Sequence, residues 1–282
     1  MLGFHSIEIP YPYVKFTTMT NSRIEKAIQE TNKKGQTAII PYLTVGFPTL
    51  EDTERLVHAL SSEGATVIEL GVPFTDPLAD GPTIQRASMV GLKNDINLGT
   101  CLQLVAQLRK DGVTTPLILM GYYNPFLAYG ISKISKAAAH AGVDGLIVPD
   151  LPVEESVPLR EACLQQGLDL INLLTPTSNE ERIIKGCSES RGFIYCVSVN
   201  GVTGSRNQID DNIADIATRI RKHTNLPIAV GFGISKREHV ETIGRYAQAA
   251  VVGSIFIETI EKTPKNEIER ASVDLLASLQ GS

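Results

Sequence analysis

Glu69 stands inside a short apolar run, Thr66–Leu70 (TVIEL), with Ile68 and Leu70 on either side. A carboxyl that points inward from such a strand loses its hydration. Its pKa then rises, and it can both give and take a proton near neutral pH. The plain alternative is an ion pair with an Arg or Lys in the floor of the fold. The segment that follows, up to Pro82, carries Asp76 and Asp80 and is stiffened by Pro73, Pro77 and Pro82. As structure alone, these acids read as turn formers and a helix cap.

Glycine gathers at three later places: Gly201-Val-Thr-Gly204, Gly231-Phe-Gly-Ile-Ser235 and Gly253-Ser254. Glycine lets main-chain amides approach an anion closely, and a serine that opens a helix puts the positive end of its dipole there. Such loops can hold a phosphate through N–H groups with little help from Lys or Arg.

These residues need a scaffold. Ala38–Thr44, Thr66–Leu70, Leu117–Gly121, Gly145–Pro149, Leu170–Leu174, Phe193–Ser198, Pro227–Gly231 and Ala249–Gly253 are short, nearly continuous apolar runs, as expected of parallel strands buried on both faces. Between them lie amphipathic stretches at 50–63, 132–141, 154–166, 179–187, 211–223 and 236–246. Thr49 is placed to cap the first of these, and Gly64, Gly142 and Gly167 fall where helices should stop. Eight strand–helix units predict an α/β fold, a (β/α)8 barrel, with an extra N-terminal helix at Ser22–Lys33. A doubly wound open sheet is the rival, but no GxGxxG follows the first strand. In a barrel, chemistry belongs at the C-terminal strand ends, where Glu69, its loop and the three glycine clusters all fall.

No linker or composition shift divides the chain. We expect one barrel over 21–282 and an N-terminal extension over 1–20, disordered or a mis-assigned start, with Met19 as the alternative initiator. The 282 residues are 43% hydrophobic and 20% charged with a net charge of −5, which gives no general attraction to nucleic acid or to an anionic membrane. No run approaches the roughly 18–20 apolar residues of a membrane span. Cys101, Cys163, Cys187 and Cys196 form no CxxC pair, and there is no HxH or HExxH, so no metal site and four reduced thiols are expected. The expected compartment is cytoplasmic, or plastid stroma in a photosynthetic eukaryote.

The run from Glu69 to Pro82 (ELGVPFTDPLADGP) resembles the signature of the tryptophan synthase alpha chain family. Tyr42-Leu-Thr44 with Gly46 and Pro48, Gly121–Pro125 (GYYNP), Pro149–Glu155 (PDLPVEE), Gly201–Gly204 and Gly231–Ser235 agree in the same order. The resemblance implies a (β/α)8 lyase that cleaves indole-3-glycerol phosphate to indole and glyceraldehyde 3-phosphate by a retro-aldol step. It implies Glu69 as acid/base, Asp80 as the second catalytic carboxylate and Tyr195 near the substrate. Thr203, Gly204, Phe232, Gly233, Gly253 and Ser254 fall on substrate or phosphate positions. Tyr42, Leu119, Leu146 and Ile147 are candidates for the indole wall, and Pro73–Gly81 and Asn200–Arg206 for a lid. The implied partner is the tryptophan synthase beta chain in an alpha2-beta2 heterotetramer, met through Asn124, Pro125, Asp150 and Pro152. Pyridoxal phosphate is expected only in that partner, with no cofactor here. Tyr42 replaces a common phenylalanine, Phe47 stands where some members carry Asp, and Asn200 replaces Thr, Ser or Ala. Another sugar-phosphate barrel, or a subunit that only activates a beta chain, are the alternatives.

Overall fold

The computed structural model describes residues 22–197, 206–231 and 233–281. Its strands are β1 (Ala38–Thr44), β2 (Ile68–Gly71), β3 (Leu117–Met120), β4 (Gly145–Ile147), β5 (Asp169–Ile171), β6 (Leu173–Leu174), β7 (Ile194–Val197), β8 (Ile228–Gly231) and β9 (Ala249–Val252). All pair in parallel, in the order β5-β4-β3-β2-β1-β9-β8-β7-β6. β5 and β6 are one barrel strand, expected as Leu170–Leu174 and interrupted at Asn172. The N–H of Asn172 is taken by Ser190 Oγ at 2.9 Å, outside the sheet, and its carbonyl receives the Tyr195 N–H at 3.1 Å. Because β5 pairs with β4 and β6 with β7, this strand closes the cylinder. Aligned partners run Tyr42–Glu69–Ile118–Gly145–Asp169 on one side and Ala38–Ala249–Ala229–Tyr195–Leu173 on the other. The register slips by four residues on β1 and by four on the β5–β6 strand, the stagger of eight that a (β/α)8 barrel requires.

The helices are α1 (Arg23–Lys33), α2 (Leu50–Ser62), α3 (Pro82–Lys93), α4 (Leu98–Lys110), α5 (Tyr123–Tyr129), α6 (Ile131–Ala141), α7 (Val157–Gln166), α8 (Glu180–Glu189), α9 (Arg206–Arg221), α10 (Arg237–Ile243), α11 (Ser254–Lys262) and α12 (Ile268–Gln280). Local chemistry sets their ends. Ser22 and Thr49 accept the N–H groups of Glu25 and Asp52, and Gly142 and Gly167 end α6 and α7 in the left-handed conformation. The stretch expected to be helical from residue 154 starts only at Val157. Pro158 lacks an N–H and fits only the first turn.

Side chains alternate between two apolar layers. Ile40, Val67, Ile118, Ile147, Ile171 and Val251 fill the cylinder, where Ile24 and Ile28 of α1 join them from below. Leu43, Leu70, Leu119, Leu146 and Val230 pack outward against the helices. That alternation corrects the expected indole wall: Leu119 and Leu146 face the helix layer, and the inward neighbours are Met120 and Ile147.

The floor holds a charged cluster. Asp144, immediately before β4, accepts from Arg109 at 2.6 Å, Arg23 at 2.7 Å and the Leu117 N–H at 2.8 Å. Arg109 also donates to the carbonyls of Gly142, Val113 and Thr115. This cluster ties α1, α4 and the starts of β3 and β4 together, at the end of the barrel opposite Glu69.

Candidate active site

At the C-terminal end the interior opens into a cavity of about 960 Å³. Its wall includes Tyr42 of β1, Glu69 of β2, Met120 of β3, Ile147 of β4, Leu173 of β6 and Tyr195 of β7. Glu69 is 1% exposed, and its Oε2 has no hydrogen-bond partner. No ion pair reaches it among the described residues, so the alternative of a floor salt bridge is not what this carboxyl does. Burial, and secondarily the charge of Asp80, pushes its pKa up to about 8.

Asp80 ends the loop between β2 and α3, just before Gly81, which caps α3, and Pro82, which opens it. Burial raises its pKa to about 6, while a hydrogen bond from the Tyr122 hydroxyl pulls the other way. Tyr122 follows β3, stacks on Phe74 at 5.2 Å and receives the Ala79 N–H at 2.9 Å. One phenol thus holds the loop backbone and the carboxylate together. At neutral pH the pair divides its protons, with Glu69 mostly protonated and Asp80 mostly ionised.

Two tyrosines flank these acids. A Cβ on Gly71 would lie 2.0 Å from the Tyr42 hydroxyl, and a Cβ on Gly231 would lie 2.4 Å from that of Tyr195. Neither glycine has a positive φ. Each is there for space, letting a ring lie across the neighbouring strand. Gly231→Ala is expected to push the Tyr195 ring off its place and to cost about 1–3 kcal/mol of unfolding free energy, the range for overpacking a filled interior, read by urea denaturation.

On the opposite rim, Gly233, Ser235, Gly253 and Ser254 also line the cavity. Gly233 has φ +57, a conformation that favours glycine, and a Cβ there would meet nothing within 4 Å. Ser254 is the first residue of α11 and Gly253 its cap, so the positive end of that helix opens on the cavity. Ser235 opens no helix: α10 starts two residues later, and the Ser235 N–H goes to His239 Nδ1 at 3.3 Å. Thr203, Gly204 and Phe232 lie outside the described residues.

Asp150 and Pro152 reach the cavity rim. Asn124 and Pro125 do not line it. They form the first turn of α5, where a proline is tolerated. Asp150 accepts the N–H of Tyr123, the residue that opens α5, at 2.9 Å, which joins both pairs into one surface. Leu78, 93% exposed in the β2–α3 loop, and Leu127 of α5 are exposed apolar side chains carried by elements of this end.

Tyr122 is the residue that sequence reasoning did not single out. Nothing adjacent to it in the chain marks that role, because the loop it holds lies more than forty residues earlier. Ile84 and Thr175 also line the cavity and likewise carry no marker in the sequence.

Comparison with known proteins agrees with this geometry. A family model described as tryptophan synthase alpha chain matches residues 28–280. The tryptophan synthase alpha chain of Roseiflexus sp. (strain RS-1) is 47% identical over 260 residues, which span 92% of this chain and 100% of the relative. That of Chloroflexus aggregans is 46% identical over 246 residues, 87% of this chain and 92% of the relative. Among solved structures, tryptophan synthase subunit alpha from Legionella pneumophila str. Paris superposes with a TM-score of 0.84 at 34% identity, covering 92% of this chain and 97% of that one. A chain of the tryptophan synthase a2b2 complex from Pyrococcus furiosus gives 0.82 at 36% identity, covering 88% and 99%. A match across nearly the whole barrel, with cavity, paired carboxylates and glycine rim in place, means that this chain belongs to the tryptophan synthase alpha chain family.

Proposed function

We propose that the protein is a carbon–carbon lyase that cleaves indole-3-glycerol phosphate to indole and glyceraldehyde 3-phosphate, the alpha reaction of tryptophan synthase, with a beta chain as partner. The observation that carries the site assignment is the pair of carboxyls in one cavity, Glu69 buried without a hydrogen-bond partner on Oε2 and Asp80 held by Tyr122. Family membership supports this reaction over that of other sugar-phosphate barrels.

Glu69, protonated at neutral pH, gives its proton to indole C3. The resulting indolenine cation has a strongly acidic N–H, and the Asp80 carboxylate beside it stabilises the charge. The Glu69 carboxylate then takes the proton of the hydroxyl next to the scissile bond. That oxygen becomes the aldehyde carbonyl, the carbon–carbon bond breaks, and its electron pair restores the indole. These steps are proton transfers that use this chain's own side chains, and pyridoxal phosphate is assigned to the beta chain.

Tyr42, Met120, Ile147 and Tyr195 supply the wall for the ring. Gly233, Gly253, Ser254 and the start of α11 supply amides for the phosphate, with Thr203, Gly204 and Phe232 assigned to the same end. Grip on the distant phosphate holds the reacting carbon against Glu69. The surface of Asn124, Pro125, Asp150 and Pro152 is assigned to the beta chain. No described helix is long and apolar enough to cross a membrane, and the proposed compartment is the cytoplasm.

The direct test is incubation with indole-3-glycerol phosphate, with and without a beta chain, reading free indole; no indole in either arm refutes the proposal. The paired acids also set a pH profile. Below about 6 Asp80 gains a proton and loses its charge, and above about 8 Glu69 loses the proton it must donate. A bell-shaped kcat/KM with limbs near those values is expected. Asp80→Asn should lower the plateau and remove the acid limb.

A further inference from the structure

Tyr42 carries a hydroxyl at a place where an apolar ring would suffice to line an indole pocket. The side chain is 5% exposed and stands beside Glu69 in the strand register. Its hydroxyl accepts a hydrogen bond from Thr44 Oγ1 at 3.3 Å, in the space that the missing side chain of Gly71 leaves open. A phenol that accepts from behind still has its own O–H to place. Both Tyr42 and Asp80 line the cavity, and the Asp80 charge acts on this phenol more strongly than that of Glu69. Asp80 already takes one phenolic hydrogen bond, from Tyr122 on the other side.

The geometry points to Tyr42 as a positioning residue: braced by Thr44, its hydroxyl donates to the Asp80 carboxylate in the substrate-filled site, so that two phenols, one on β1 and one in the turn after β3, fix that carboxylate against the indole N–H. The inference rests on the lyase reading and deepens it. A carboxylate needs both position and charge to stabilise the indolenine, and a second donor favours the ionised form while removing one rotational freedom. The other titratable groups facing this space are Glu69 from β2, Tyr122 after β3 and Tyr195 from β7, with Asp150, Arg182 and Glu258 at the cavity rim. Of these, Tyr195 also feels the Tyr42 phenol, while Asp80 and Glu69 act on it more strongly than Tyr42 does.

Tyr42→Phe keeps the ring and deletes only that oxygen, so packing against the indole is preserved. Loss of a donor to the charged form raises the Asp80 pKa. The acid limb of the kcat profile is therefore expected to move up by about 0.5–1 pH unit, with turnover at pH 6 falling about 2- to 5-fold further than turnover at pH 8. Thr44→Val, which removes the brace and keeps the shape, should move the same limb by less. A purely structural role would instead lower the thermal midpoint or raise KM and leave the limb in place. An unmoved acid limb in Tyr42→Phe overturns the inference, whatever happens to KM or stability. The two readings fail separately: wild type that releases no indole sinks the lyase, whereas an active enzyme with an unmoved limb sinks only the role of Tyr42.

Discussion

Glu69→Gln is expected to lower indole formation by about 10²- to 10⁴-fold, the range for loss of a positioned general acid and base. The amide has nearly the same shape, so the fold should survive, and the same variant should gain stability. The sign follows from the raised pKa. In the unfolded chain this carboxyl ionises near its ordinary value of 4.5, and in the folded barrel only near about 8. Whatever the protonated Glu69 contributes is fully present below pH 4.5 and is lost steadily as pH climbs to about 8, after which the loss is constant. The advantage of Gln over Glu should thus be absent at pH 4, grow between those values and then level off, on the order of a few kcal/mol at the plateau. Turnover and urea midpoints at several pH values check both parts. A Glu69→Gln protein that is inactive yet no more stable at pH 8 than wild type would mean that the carboxyl is not buried as described.

Asp144→Ala should do the reverse, with a stability loss of about 3–5 kcal/mol and turnover per folded molecule unchanged. Asp144 is 8% exposed and Arg109, its partner, 16%. Without the carboxylate the guanidinium keeps its desolvation, and the N–H of Leu117 loses its acceptor. Asp144→Asn keeps an acceptor for Leu117 and should cost less. Denaturant midpoints with indole release on the folded fraction separate the two effects, and a fall in kcat would show that the barrel floor reaches the site.

How much of this was legible in the sequence depended on contrast. Glu69 could be read because a charge interrupts an apolar strand, and Asp80 because prolines frame its loop. Gly231, Gly233, Gly253 and Ser254 could be picked out from glycine clusters at strand ends, and they line the cavity. The facing of Leu119 and Met120 was not legible, because a strand buried on both sides has no alternation to read. α5 was hidden because Gly121-Tyr-Tyr-Asn-Pro125 reads as a turn until the proline is seen to fit a first helical turn. Tyr122 gave no local sign of its work, since its partners Phe74, Ala79 and Asp80 come from a loop more than forty residues earlier. The break at Asn172 had a marker, a lone amide in Leu170–Leu174, but a polar side chain in a strand does not by itself show that pairing stops.

That break has a consequence for how the cylinder is held shut. Laid flat, the sheet is a ribbon whose two outer strands, β5 and β6, are one continuous chain through Asn172, and β5 is also tied toward β7 by the Arg191 N–H on the Leu170 carbonyl at 3.2 Å and by the Arg191 side chain on Asp169 at 3.0 Å. A covalent strand cannot part as a hydrogen-bonded seam can, so the cylinder is held shut here through the main chain, and only the ladder beside Asn172 is thinned. Leu173 and Tyr195 are register partners just past it, so this part of the cavity wall depends on the β6–β7 ladder.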